Sequence, residues 1–454
     1  MQSDFSHGPV WRRILSQAIP LTLASLVQLL YNIVDRIYLG HLPGADSLAL
    51  TGVGLTFPIV SLIAAFTNLF ARGGTPLFSI ARGARENDRA SRIMGAVFTL
   101  LLSSSFLIMA VCLAFRRPVL YLFGASDASY AYADTYLRIY LLGTPLAMLA
   151  TGLNGFINAQ GYAQVGMMTT VSGAVVNLIL AQLFIFALDM GVAGAALATV
   201  ISQGVSCLWV LCFLRGRRIP LPLRRGHMRV ELPMLRQILA LGTSGFIMQG
   251  TNCLVQIACN TTLQAFGGDL YVGIMTVLQS IRSVLEMPVF GVTSGSQPVI
   301  GYNYGARKYS RVRESIRFTS AIGAAYTLLI WIALLIFPRA FVSIFSNDPA
   351  LLDAAPHALN LYFFGYVFMS LQFAGQTTFQ ALGHAKHAIF FSLLRKAFIV
   401  VPLTLLLPRI GFGVDGVFLA EPISNLIGGA ACFFTMLRSV YLPLGKAKDG
   451  SAPA

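Results

Sequence analysis

Few residues in this chain could do chemistry, and most of those are ionisable or amide side chains set within long apolar runs. Three carboxylates fall inside such runs: Asp35, Glu286 and Glu421. Asp35 follows Gln28, Tyr31 and Asn32 at spacings of seven, four and three, which puts all four on one helix face. A carboxylate placed there either carries a proton, since burial raises its pKa, or coordinates a hard cation through oxygen. The plainer alternative is an interfacial acid beside Arg36. Glu286 stands four residues after Arg282, the pairing distance on a helix. It reads as half of a structural ion pair or as a protonation or substrate-cation site. Glu421 precedes Pro422 and reads as a structural group that bonds backbone freed by the proline.

Uncharged amides form stripes at helical spacing: Gln249, Asn252, Gln256 and Asn260; Gln372, Gln376 and Gln380; Asn154 and Asn158. Amides facing lipid are costly, so these faces must meet protein or water. Helix-to-helix hydrogen bonding and a water-filled substrate cavity use the same residues. The six cysteines form no CxxC pair and read as small packing residues. His384 and His387 stand three apart, too few ligands for a metal, so no metal site is expected. There is no nucleotide-binding loop and no catalytic triad, which argues against an enzyme.

The elements that position these groups follow from composition. Of 454 residues, 56% are hydrophobic and only 11% charged, too few to cover a soluble chain of this size. Twelve stretches are apolar and long enough to cross roughly 30 Å of hydrocarbon: 14–34, 48–70, 93–115, 135–159, 165–188, 193–214, 238–262, 271–300, 318–337, 357–381, 387–408 and 414–437. Each is expected to be helical, because lipid leaves no other partner for the backbone. The N-terminal segment shows no small-residue cleavage site, so the first span is expected to remain as an anchor.

The net charge of +15 suggests nucleic acid on a soluble protein but cytoplasmic loops on a membrane protein. With the N-terminus placed inside, 23 of the 32 basic residues fall on inside segments, five outside and four (Arg138, Arg282, Arg395, Lys396) within spans. That asymmetry predicts a multi-pass protein of the cytoplasmic membrane with both termini cytoplasmic, and leaves no basic face for nucleic acid.

The chain also matches itself at one constant offset in residue number. Pro76 meets Pro298, Gly83 meets Gly305, Ala84 and Arg85 meet Ala306 and Arg307, Gly161 meets Gly383, and Gly191 and Val192 meet Gly413 and Val414. Six spans per half give the halves the same orientation, a pattern of secondary transporters whose substrate site lies between the repeats. The expected organisation is an N-terminal six-helix lobe (1–214), a basic cytoplasmic linker (215–236), a C-terminal six-helix lobe (237–440) and a cytoplasmic tail (441–454).

The segment 297–306 (QPVIGYNYGA), after 287–291 (MPVFG), resembles the eighth-helix motif of the multidrug and toxic compound extrusion (MATE) transporters, with the DinF-like and MepA-like bacterial branches nearest. Residues 34–40 (VDRIYLG) are similar to that family's first-helix motif, and 191–199 (GVAGAALAT) to its entry to helix six. The resemblance covers essentially the whole chain. It implies an all-α membrane protein of twelve transmembrane helices in two parallel six-helix repeats, arranged as a V. It further implies export of amphipathic, often cationic, small organic compounds by a single chain in the bilayer, driven by inward flow of Na⁺ or H⁺ with no other cofactor. In the family's cation site, Asp35, Asn177 and Thr199 fit three of four places. The fourth place should be an acid and is Ala181. That leaves Asp35 as a lone protonatable switch, or Glu286 as a partner in coupling. The substrate cavity would be lined by Gln28, Tyr31, Asn32, Asn154, Asn158, Gln249, Asn252, Gln256, Arg282, Gln372 and Gln376. A flippase of a lipid-linked substrate is the alternative, since Arg282 and Arg138 could meet a phosphate.

Overall fold

A computed structural model describes residues 4–40, 52–123, 125–216, 219–345, 349–447 and 449–450. The chain is helical almost throughout, with no strand among the described residues. Its first half contains α1 (Val10–Gly40), α2 (Phe57–Gly83), α3 (Asn87–Ala114), α4 (Arg116–Leu122), α5 (Asp127–Leu142), α6 (Thr144–Ala159), α7 (Ala163–Gln182) and α8 (Gly191–Arg215). The second contains α9 (Leu232–Gly305), α10 (Tyr309–Ile336), α11 (Pro338–Ser343), α12 (Pro349–Tyr362), α13 (Val367–Ala381), α14 (Ala385–Leu393), α15 (Val401–Leu406), α16 (Gly413–Ser424), α17 (Ala430–Met436) and α18 (Leu442–Lys446).

Among the described residues, nine helices are long and apolar enough to cross a membrane, and one pair bent by 55°, Ser129–Leu142 with Thr144–Ala159, makes a tenth span. The expected twelve are recovered at two breaks. Within Leu232–Gly305, Gly268 is non-helical (φ 69°, ψ −166°) and divides α9 into two helices, the seventh and eighth expected spans. The tenth expected span is interrupted between α12 and α13, where Gly365 takes φ 64°.

The repeat is visible in the backbone as well as in the sequence. Left-handed conformations recur at the offset that relates the two halves: Arg85 (φ 64°) and Arg307 (φ 56°), Gly161 (φ 90°) and Gly383 (φ 79°), Asp189 (φ 48°) and Gly411 (φ 109°), Gly191 and Gly413 (both φ 53°). Three of these positions hold side chains that rarely adopt positive φ. Their recurrence marks the same turns in both halves.

The chain forms two compact units. The first comprises Leu23–Ala81 and Glu86–Gly242; the second comprises Asp4–Thr22, Arg82–Arg85 and the chain from Thr243 onward. The core of the first is built on Phe78, Leu101, Leu137, Leu153 and Phe156, with Phe78 and Phe156 edge to face at 5.3 Å. The second holds a cluster around Leu278, Leu359, Phe363 and Phe418 and another around Ile300, Val312, Phe379 and Met436. Between apolar helices in lipid the hydrophobic effect supplies little, so small residues that let backbones approach become decisive. A Cβ on Gly73 would lie 2.0 Å from the Ile238 carbonyl oxygen within the first unit, and one on Gly295 would lie 2.7 Å from the Ala18 nitrogen within the second. These two glycines occupy equivalent positions of the repeat. They explain why the opening turns of α9 pack in the first unit and those of α1 in the second.

Each unit is closed by a clip on the chain that follows its last long helix. In the first, buried Gln160 brackets the Leu221 peptide, donating from Nε2 to its carbonyl (3.2 Å) and accepting its N–H at Oε1 (3.1 Å). Ile219, Leu221 and Leu223 are buried beside it, and His227 Nε2 lies 3.0 Å from Asp88 Oδ1. In the second, Ser310 donates its N–H (3.0 Å) and hydroxyl (2.6 Å) to Asp449. Partial burial works against the ionised form of Asp449, but those Ser310 bonds hold its pKa below the ordinary carboxylate value. The partners stand at the same sequence separation in both clips. The repeat therefore reaches the tail, well beyond the last sequence match at Ala420.

Gly73→Ala and Gly295→Ala are expected to destabilise the folded protein by roughly 1–3 kcal/mol each through overpacking. Gly54→Ala, with no atom within 4 Å of the added carbon, leaves stability unchanged or slightly raised. Thermal unfolding of the detergent-solubilised variants checks the contrast.

Candidate functional site

In the first unit, α7 and α8 present Asn177 and Thr199 to each other. Asn177 is 1% exposed and donates from Nδ2 to Thr199 Oγ1 at 3.2 Å, while Thr199 turns its own hydroxyl back to the Ala195 carbonyl. Asn177 Oδ1 is buried without a hydrogen bond. It is an acceptor whose desolvation is uncompensated, a cost of about 1–3 kcal/mol unless a donor or cation arrives. Ala181, one turn along the same face, is fully buried and contributes no polar atom. Asp35 and Asn32 belong to α1, but their side chains lie outside the described residues. On the same helix Gln28 is exposed and Tyr31 half-buried.

A second polar knot ties α6 to α7. Asn154 donates to the Gly166 carbonyl (3.0 Å) and to Thr169 Oγ1 (2.7 Å), and Asn158 donates to Asn154 Oδ1 (3.3 Å). Asn158 is thus joined to Asn154 along α6, and Asn154 in turn to α7, all within the first unit.

In the second unit the stripe on α9 stays apart: Gln249, Asn252 and Gln256 are exposed, and no hydrogen bond joins them among the described residues. On α13, Gln372 and Gln376 are buried and Gln380 is half-buried. Gln376 donates to Ser392 of α14, and Gln372 keeps an unpartnered Oε1. His384 and His387 lie against the Phe379 ring, His387 at 4.9 Å.

The largest assembly of charge lies in this unit, and only half of it was anticipated. Arg282 donates from Nε to Glu286, as the spacing predicts. It also reaches across to Glu421 (Nη1, 2.7 Å) and to the Tyr362 hydroxyl (2.9 Å). Glu421, 4% exposed, further accepts from Lys396 Nζ at 3.1 and 3.3 Å and from Arg395 Nη1 at 3.4 Å. Arg395 is steadied by Asn425 Oδ1 at 2.6 Å. The carboxylate of Glu421 is therefore the shared acceptor of three cations rather than a cap for backbone freed by Pro422. The backbone is irregular where these groups stand. Arg395 and Lys396 sit in a π-helical stretch, Leu394–Val400; Asn425 opens another, Asn425–Gly429; and Tyr362 ends α12 at the Gly365 break. Wide turns of this kind are common at functional sites.

Arg395, Lys396 and Glu421 are the residues that sequence reasoning left unjoined. The available signal was stoichiometric: three of the four in-span cations and two of the three in-span acids fall in the second half. Arg138, the remaining in-span cation, pairs with Asp134, which also binds Arg116 Nε at 2.9 Å. Arg138 and Arg282, the two arginines of the flippase alternative, are thus already bound to carboxylates.

Removing one partner of a buried network leaves an uncompensated charge, at a cost of about 3–5 kcal/mol. Glu421→Gln is expected to lose most of the folded protein, and adding Lys396→Gln to recover part of that loss. Thermal unfolding of the single and double variants measures the coupling.

Comparison with known proteins places this geometry. The MatE family model matches residues 20–183 and 246–406, one match in each half. The multidrug export protein MepA of Staphylococcus haemolyticus (strain JCSC1435) is 25% identical over 439 residues, covering 96% of this chain and 94% of that protein. MepA of Staphylococcus aureus (strain N315) is 24% identical, covering 96% and 95%. Among solved structures, MATE in complex with MaL6 aligns with a TM-score of 0.90 at 23% identity, covering 98% of this chain and 99% of that one. The outward-facing conformation of a multidrug resistance MATE family transporter of the MOP superfamily aligns with a TM-score of 0.90 at 23% identity, covering 98% of each.

Proposed function

Because the chain belongs to the MatE family, we propose that it exports small, amphipathic, often cationic organic compounds across the cell membrane by alternating access, in exchange for inward-moving H⁺ or Na⁺. The observation that carries this reading is the near end-to-end match to multidrug export proteins, 96% of this chain, together with buried polar groups in a chain that is otherwise apolar. Intramembrane groups of this kind are costly and are kept where ions or substrates pass. Both chain ends would face the cytoplasm, where most basic residues fall.

Asn177 and Thr199 form a ready-made half of a cation or proton site, with Oδ1 of Asn177 unsatisfied. Asp35 would supply the charge. With Ala181 in place of a second acid, the site holds one carboxylate, which favours a single proton or a weakly held Na⁺. Glu286 is the second candidate: its carboxylate is the less buried of the two acids around Arg282, and Arg282 is its bonded partner. Protonating Glu286 would release Arg282 toward Glu421, a local charge change of the kind that biases a two-state transporter. For coupling to work, the ion and the substrate must each bind the inward-open and outward-open states unequally.

Asp35→Asn is expected to slow ion-driven ethidium efflux roughly tenfold or more, and Glu286→Gln by a smaller factor. Efflux measured in vesicles matched for expressed protein checks this. Full coupled efflux in both variants contradicts the assignment.

A further inference from the structure

The buried network of the second unit holds three cations, Arg282, Arg395 and Lys396, against two carboxylates, Glu286 and Glu421. Arg395 and Lys396 have no acid of their own and share Glu421 with Arg282. Excess charge away from water is expensive, and proteins compensate it with a counter-charge. Two further atoms indicate where such a counter-charge would sit. The Tyr366 hydroxyl, at the head of α13, is buried (residue 3% exposed) with no hydrogen-bond partner, and its electrostatic neighbours are Glu286 and then Arg282. Arg282 commits Nε to Glu286 and Nη1 to Glu421 and Tyr362, which leaves Nη2 without a hydrogen bond among the described residues. A buried hydroxyl donor and a guanidinium donor beside a surplus positive charge suit an acceptor that carries negative charge.

We propose that this network binds a small monovalent anion, held by Arg282 and the Tyr366 hydroxyl and favoured by the surplus charge of Arg395 and Lys396. The same acceptor chemistry belongs to a halide from the medium and to a carboxylate borne by a transported compound. This goes beyond the export reading above, and its test reads binding rather than efflux, so either can fail without the other.

The test uses the purified full-length protein in detergent, with thermal unfolding followed at constant ionic strength in sodium chloride, sodium acetate and sodium gluconate. Gluconate serves as the bulky reference. The proposal expects chloride, acetate or both to raise Tm saturably above gluconate, because a ligand of the folded state stabilises it by mass action. A chloride-only shift identifies a halide site, and an acetate shift identifies a carboxylate site. Lys396→Gln, which removes the surplus charge, loses the shift. Tyr366→Phe, which removes one hydroxyl and no charge, needs more anion to reach half of it. Glu286→Gln adds to the surplus and needs less. Equal Tm in all three salts overturns the proposal, as does an anion shift that Tyr366→Phe leaves unaltered. Tyr366→Phe keeps the test decisive even where Lys396→Gln does not fold.

Discussion

Ionised and hydrogen-bonding groups withdrawn from water must find partners, and this requirement sets the architecture at two scales. At the scale of the backbone it makes every crossing segment helical, since a helix satisfies each N–H and C=O within itself. At the scale of the side chain it gathers the second unit around Glu421. Arg282 comes to that carboxylate from α9, far earlier in the chain, and Arg395 and Lys396 come from the stretch between α14 and α15. The π-helical turns at Leu394–Val400 and Asn425–Gly429 are the local departures from regular helix that bring them together.

The first unit meets the same requirement mostly with neutral groups and with one buried carboxylate, Asp134, paired with Arg116 and Arg138. Its other buried polar pairs are amides and hydroxyls, among them Asn154 with Thr169, Asn177 with Thr199, and Gln160 with the Leu221 peptide. Two repeats that share turns, clips and close glycine contacts have thus acquired different interiors. One keeps an unsatisfied amide oxygen at Asn177, and the other gathers three cations on one shared carboxylate.

Much of the fold was legible in the sequence because its signals are local or periodic. Apolar length gave the spans, and a fixed offset gave the repeat, which the left-handed residues Arg85 and Arg307 confirm in the backbone. The Arg282–Glu286 pair was legible because it is a one-helix relationship. Long-range relationships were not legible. The spacing of Arg395 and Lys396 predicts no partner, because their acid lies on another helix. Nor could the sequence reveal that the opening turns of α1 and α9 belong to different units from the turns that follow them. Those features depend on how closely backbones approach at Gly73 and Gly295, and a glycine's identity alone does not disclose its neighbour.

The central claim is that an ion gradient drives export through the buried polar groups of this chain. The most direct measurement is ethidium transport in vesicles reconstituted with the purified protein, with a proton gradient and a sodium gradient imposed separately. The account predicts uphill ethidium movement under at least one of the two gradients, abolished when that gradient is collapsed. Ethidium movement that merely equilibrates, whichever gradient is imposed, would contradict it.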